Sequence, residues 1–277
     1  MARSLPGAML AALNSSHVSN AEEHRKPASL PIEIIPLMEL PEVASGDDVA
    51  RLLAEAAREQ GLVPKQRDVF VVAQKIVSKA EGRIVHLDTI EPSERAERWA
   101  AEYNKDPRVI EIVLSEASSI VRMERGVIIA KTRHGFVCAN AGVDLSNAPE
   151  GTALLLPEDP DRSASKLQEE LTRAFGVHLG VIISDTFGRP WREGLVNVAL
   201  GVAGMAPLVD YRGHRDAHGR TLQATVIAIA DELAASAGLV MGKLNRVPVA
   251  VIRGVPLSDG TGTGRELIRP SDKDLFR

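Results

Sequence analysis

The chain has 277 residues, 44% of them hydrophobic and 25% charged, with a formal net charge of −4. That is ample apolar chain for a sizeable core, and the near-neutral balance excludes the broad basic footprint of a nucleic-acid or anionic-membrane binder. A lone cysteine, Cys138, excludes an internal disulfide framework and points to a reducing, cytoplasmic setting, and no apolar run approaches the ~20 residues of a membrane-spanning helix.

The first 30 residues, rich in Ala, Ser and Asn, show no sustained periodicity and read as a flexible extension or a misassigned start, ahead of a domain over 31–277. Arg3 and "AMLAAL" only faintly resemble an export signal, because the apolar stretch is short and no small-residue cleavage site follows. "SLPIEIIPL" alternates and is β-branched, which predicts a first strand. Behind Asp47 and Asp48, the helical spacing of Val49, Leu52, Leu53 and Ala56 predicts a helix stopped by Gly61. "RDVFVVAQKIVSKAEGRIVHL" predicts a strand at Val69–Ala73, a polar crossing and a second strand. "EPSERAERWAAEYN" and "DPRVIEIVLSEAS" predict two helices with Pro near their amino ends. "GVIIAKTRHGFVCANAGVDLSN" predicts a strand, a turn at His134–Gly135 and a short strand entering a polar loop.

"DPDRSASKLQEELTRAFG" predicts a helix with Ala164, Leu167, Leu171 and Phe175 on one face. It feeds the strand in "HLGVIISDTFGR", which is expected to end near Asp185 in a turn at Gly188. An apolar segment, "LVNVALGVAG", then precedes a loop dense in His, Arg and Gly. "QATVIAIADELAASAGLVMG" predicts an apolar helix ended by Gly238, and "RVPVAVIRGV" a last buried strand before a Gly-rich tail. Strands and helices that alternate irregularly predict an α+β fold.

Four clusters carry candidate chemistry. Lys75 and Lys79 are four apart beside Ser78, and serve either as point charges on phosphate or as a solvated basic face. In "CANAGVDLSN", Asn140, Asp144, Ser146 and Asn147 crowd a loop that turn formation alone would explain. Yet Asp144 and Asp185 are two carboxylates, each following an apolar strand, which suits Mg²⁺ or Mn²⁺, and Thr186 could offer a hydroxyl to a second ion. "GLVMGKL" misses a Walker motif by one residue and a hydroxyl, though Gly242 and Lys243 could still approach a nucleotide. "YRGHRDAHGR" is either a cationic clamp or a plain solvated loop. Two strand-end aspartates fit a metal-dependent phosphohydrolase of a small metabolite, and a non-catalytic GTP-binding module fits as well.

"QKIVSKAEGR", "CANAGVDLSN", "SDTFGRPWREGLVNVALGVAG" and "GTGRELIRPSDKDLFR" resemble, in order over roughly residues 32–277, the coenzyme F420-0:L-glutamate ligases, or F420 gamma-glutamyl ligase family. The resemblance implies mixed sheets and packed helices in two subdomains, assembled as an intertwined homodimer. It implies a GTP-dependent ligase that adds L-glutamate to coenzyme F420-0 through an acyl phosphate, leaving a γ-linked tail. By the same likeness Asp144 and Asp185 hold one divalent ion and Thr186 a second, with K⁺ as an optional further ion. Leu40, Pro41, Glu42, Val43, Gln74, Lys75, Lys79 and Asn147 would lie along the nucleotide, and Val240–Val247, with Met241, Gly242 and Lys243, would close over it. Archaeal members carry an acidic residue where Lys243 stands, so Gln223 or water would have to complete the second ion's ligands. Arg189 and Arg192 are expected to receive anionic substrate or phosphate; structural pairing with carboxylates is their other reading. Trp191 reads equally as core or as a deazaflavin contact.

Overall fold

The computed structural model describes residues 31–257 and 260–275; the expected extension over 1–30 lies outside them. In chain order the elements are β1 (Glu33–Leu37), α1 (Val49–Glu59), β2 (Val69–Ala73), α2 (Gln74–Ala80), β3 (Ile84–His86), α3 (Glu94–Tyr103), α4 (Pro107–Glu116), β4 (Ala117–Glu124) and β5 (Val127–Thr132). There follow β6 (Val137–Ala139), β7 (Thr152–Leu154), α5 (Pro160–Phe175), β8 (Gly180–Arg189), β9 (Arg192–Ala203), β10 (Val209–Asp210), β11 (Val226–Ile227), α6 (Ile229–Met241) and β12 (Val249–Arg253). Mixed sheets with packed helices make the fold α+β, as the irregular alternation predicts.

The main sheet has the order β1-β12-β2-β8-β9, with β2 and β8 parallel and every other pair antiparallel. Its central strands are apolar on consecutive residues because both faces are covered. Phe70, Val72, Val181, Ile183 and Val249 face the layer holding α1 and α5, where Leu53 and Leu171 are fully buried. Val69, Val71, Ile182, Ala250 and Ile252 face α6 through Leu233, Ala234 and Ala237. A second core gathers α3, α4 and β5 around Trp99, Ile110, Val113 and Ile128.

Two carboxylates tie this framework together. Asp68, almost fully buried at the start of β2, takes Arg253 Nη2 at 2.7 Å and Nε at 3.1 Å from the end of β12. Asp161, in the first turn of α5, accepts the Val202 N–H at 3.0 Å and the Gly264 N–H at 2.6 Å, joining β9 and the C-terminal segment to the helix. This junction admits no side chain on β9: a Cβ at Gly201 would lie 2.1 Å from the Pro160 carbonyl oxygen.

Several expectations change. The polar crossing after Ala73 is a helix, α2, whose seven residues are too few for periodicity to separate helix from loop. Gly188 makes no turn; it pairs with Leu195 inside a hairpin that turns only at Pro190–Trp191. α6 runs through Gly238, where a Cβ would lie 3.1 Å from the Asn197 amide nitrogen, and stops at Gly242, whose φ of 60° and ψ of −159° leave the helical region. β4 and β7 were not foreseen, and Ala117, read as helical, begins β4. The loop over 211–220 lies between β10 and β11, and two of its arginines are ion-paired: Arg212 chelates Asp210 of β10, and Arg220 lies 3.5 Å from Asp216.

Candidate active site

The parallel pairing of β2 with β8 stops where β2 does, with Ala73 in register with Ser184, while β8 runs on to Arg189. The end of such a pairing opens a crevice that side chains of the following segments can line. Here α2 follows β2, and Asp185–Thr186 are the residues of β8 just past that pairing; between them lies a cleft of about 700 Å³. The loop over 40–43, the turn over 147–149 and the segment after α6 complete its walls.

Of the residues expected along a nucleotide, Leu40, Pro41, Glu42, Val43, Gln74, Lys75, Lys79, Asn147, Met241, Gly242 and Lys243 all line this cleft, together with Asp185 and Thr186. α2 explains the spacing of the lysines, since residues four apart stand on one helix face. Ser78, buried between them, donates to Gln74 Oε1 at 2.7 Å. Lys79 pairs with Glu42, which anchors the 40–43 loop across the cleft mouth.

Asp144 lies just behind this wall. Its backbone is fixed against β7 by reciprocal hydrogen bonds with Leu154, at 2.9 and 2.8 Å. Three consecutive left-handed residues, Asn140, Ala141 and Gly142, bring the chain to that position, and a Cβ at Gly142 would lie 2.6 Å from Leu156. Lys75 Nζ sits 2.5 Å from Asp144 Oδ2 and 2.6 Å from Ser146 Oγ. Burial pushes the Asp144 carboxyl upward, but hydrogen bonds from Lys75 and Ser146 outweigh it and hold the group below its ordinary value.

Asp185 is the opposite case. Burial pushes its carboxyl up to about 6; the Thr186 backbone N–H opposes this, the Asp144 charge adds to it, and Lys75 and Lys243 pull it down. A carboxylate this poorly compensated is one whose ionised form a small hard cation would restore. With Asp144 near by, the two carboxylates fit one divalent ion once Lys75 yields Asp144. Among the described residues no three His, Cys, Asp or Glu side chains cluster as a metal site. Cys138 lies within the field of Asp185, and burial raises its thiol to about 12, so it is no thiolate nucleophile at neutral pH.

Other sequence candidates lie elsewhere. Arg189 and Arg192 face each other at the far end of the β8–β9 hairpin and do not line the cleft. Arg189 Nη2 donates to the Glu193 carbonyl at 2.7 Å. Trp191 is 80% exposed at the hairpin tip, so it is not core. Gln223 is also outside the cleft lining, with its amide on the Thr221 carbonyl. The residue that sequence reasoning missed is Asn197: it lines the cleft and accepts the Thr186 hydroxyl at 2.8 Å, a meeting set by the β8–β9 register that no local signal announces.

A charged crevice opening where β2 ends beside its parallel neighbour β8 defines an α+β protein with a built small-ligand site. A family profile for F420-0:gamma-glutamyl ligase matches residues 38–254. The chain is 48% identical over 249 residues to the coenzyme F420:L-glutamate ligase of Methanothermobacter thermautotrophicus, covering 89% of this chain and 99% of that one. It is 48% identical over 255 residues to the ligase of the same name from Methanopyrus kandleri, covering 90% and 98%. Against that of Methanocaldococcus jannaschii it is 44% identical over 249 residues, covering 89% and 97%. This chain therefore belongs to the F420-0:gamma-glutamyl ligase family. Among its described residues, no helix is long and apolar enough to cross a membrane.

Proposed function

We propose that this protein adds L-glutamate to coenzyme F420-0, with GTP as phosphoryl donor and Mg²⁺ or Mn²⁺ in the site, a γ-linkage arising where a further glutamate joins the γ-carboxylate of the first. The observation that carries this reading is one cleft in which Lys75, Lys79 and Lys243 meet Asp185 and Thr186 where β2 ends beside β8, in a chain of this family. Its volume lies within the range of small-molecule sites.

In the first step a carboxylate oxygen of F420-0 attacks the γ-phosphorus of GTP and the β–γ bridging bond breaks, giving an acyl phosphate and GDP. In the second the glutamate amine attacks the acyl carbon, the bond to phosphate breaks, the nitrogen loses a proton and phosphate leaves. Two anions must approach one another in the first step, so neutralising their charge governs its rate. Lys75 and Lys79, on one face of α2, supply two point charges toward phosphate oxygens. A divalent ion held by Asp144 and Asp185 would neutralise phosphate charge further. Arg189 and Arg192 would meet substrate only from the hairpin end.

Phosphate release and product mass, followed with GTP and Mn²⁺, test the proposal. Phosphate that appears only with both L-glutamate and F420-0, alongside the mass of one added glutamyl unit, is the expected result. Release that ignores glutamate would mark a phosphohydrolase, and binding without release a GTP-binding module; either overturns the ligase reading.

The same proposal includes a homodimer. Leu195 is 67% exposed on a projecting hairpin beside the exposed Trp191, an apolar tip suited to a second copy of this chain. Sedimentation equilibrium is expected to give twice the chain mass, and a monomer at micromolar concentration would contradict it.

A further inference from the structure

We propose that Lys243 is a resident cation of the site, its ammonium holding the place at the Thr186 hydroxyl that a second divalent ion would take, so that the chain works with one divalent ion and one lysine. The proposal rests on the ligase reading above and adds to it a count of ions.

The geometry is direct. Lys243 Nζ donates to Thr186 Oγ1 at 2.6 Å, and Thr186 Oγ1 donates to Asn197 Oδ1 at 2.8 Å. Asn197 thereby takes the hydroxyl proton, leaving the oxygen lone pairs for a cation, and the cation present is the ammonium. The backbone is built to deliver it. α6 ends at Gly242, with φ 60° and ψ −159°, a conformation essentially confined to glycine. A Cβ there would also lie 2.6 Å from Asn245 Nδ2. The chain leaves the helix through this reversal and sends Lys243 across to β8, 57 residues away in sequence.

Donor count and charge agree. Of the carboxylates lining the cleft, Glu42 is paired with Lys79, which leaves Asp185; Asp144, behind the wall, is paired with Lys75. One dication between Asp144 and Asp185 uses both of these carboxylates, once Lys75 yields Asp144. A second dication at Thr186 would find a hydroxyl and a neutral amide but no carboxylate beyond Asp185, which the first ion uses, and it would face an ammonium of like sign. A hard cation needs more oxygen charge than that. The ammonium, by contrast, is already hydrogen-bonded there and keeps two further N–H donors for phosphate oxygens.

Counting Mn²⁺ by electron paramagnetic resonance on the full chain, titrated with Mn²⁺ alone, tests the idea. The wild type is expected to hold one tight Mn²⁺ per chain and Lys243→Glu two, because the new carboxylate replaces the repelling charge. Lys243→Gln, which keeps length and polarity, is expected to hold one, with its turnover lowered on the order of a hundredfold. Two tight ions in the wild type, one in Lys243→Glu, or undiminished turnover in Lys243→Gln would each overturn the proposal. A wild type that holds two ions yet still makes the glutamylated product sinks this inference alone. A wild type that makes no product sinks the ligase reading, and the ion count still decides the place of Lys243.

Discussion

Replacing Asp185 by Asn is expected to lower ligation by on the order of a hundredfold or more while leaving the fold intact, as for the loss of other preorganised electrostatic groups. Asn fills the same space, so only the charge is removed. Because burial penalises that charge, the variant without divalent ion should unfold no more easily than the wild type. The pH dependence follows from the raised carboxyl. A proton binds Asp185 more tightly in the folded protein than in the unfolded chain, so this group favours folding below its ordinary value of 3.8. That contribution is lost as pH rises through about 6. The stability gap between Asp185→Asn and the metal-free wild type should therefore open in favour of the variant between those values. Mn²⁺ should then raise the melting temperature of the wild type above pH 6 and leave that of Asp185→Asn unmoved. A well-folded variant with wild-type turnover would remove Asp185 from the mechanism.

The second large effect is expected at Gly201, far from any reacting atom. An added Cβ would lie 2.1 Å from Pro160 O and 2.4 Å from Pro160 C, both backbone atoms. Neither can give way easily, because Pro160 begins α5 and the next residue, Asp161, holds the N–H groups of Val202 and Gly264. Gly201→Ala is expected to cost about 3 kcal/mol or more, the upper end of what overpacking costs. Chemical denaturation measures it, with Gly188→Ala as the control. A Cβ at Gly188 meets only Leu195 Cδ2, at 3.8 Å, and its backbone needs no positive φ, so that variant should unfold within about 0.5 kcal/mol of wild type. Equal midpoints for the two variants would show that α5 moves off β9 at little cost.

The contrast between these glycines shows what sequence can decide. A glycine is compatible with a strand, a turn or a helix end, and only the partner across the sheet or the helix distinguishes them. Gly188 pairs with Leu195, Gly238 makes room for Asn197, and Gly242 ends α6. "VFVVA", "GVII" and "VAVIR", by contrast, specify buried strands unaided, because a strand covered on both faces is apolar without alternation. Asp48 and Asp159 likewise marked helix starts, since each side chain accepts an N–H of the first turn.

From its residues alone, then, this chain determined its α+β class, the buried strands of its main sheet and its longer helices, all of which rest on local patterning. The stretches that resemble the ligase family also pointed to the lysines of α2 and the two aspartates. Only the tertiary structure decided that Asn197 takes the Thr186 proton, that Lys75 rests on Asp144, that Lys243 reaches Thr186, and that Arg189 and Arg192 stand away from the cleft. Each of these depends on strand register or on how separate segments pack, and such long-range pairings leave no periodic trace in the sequence.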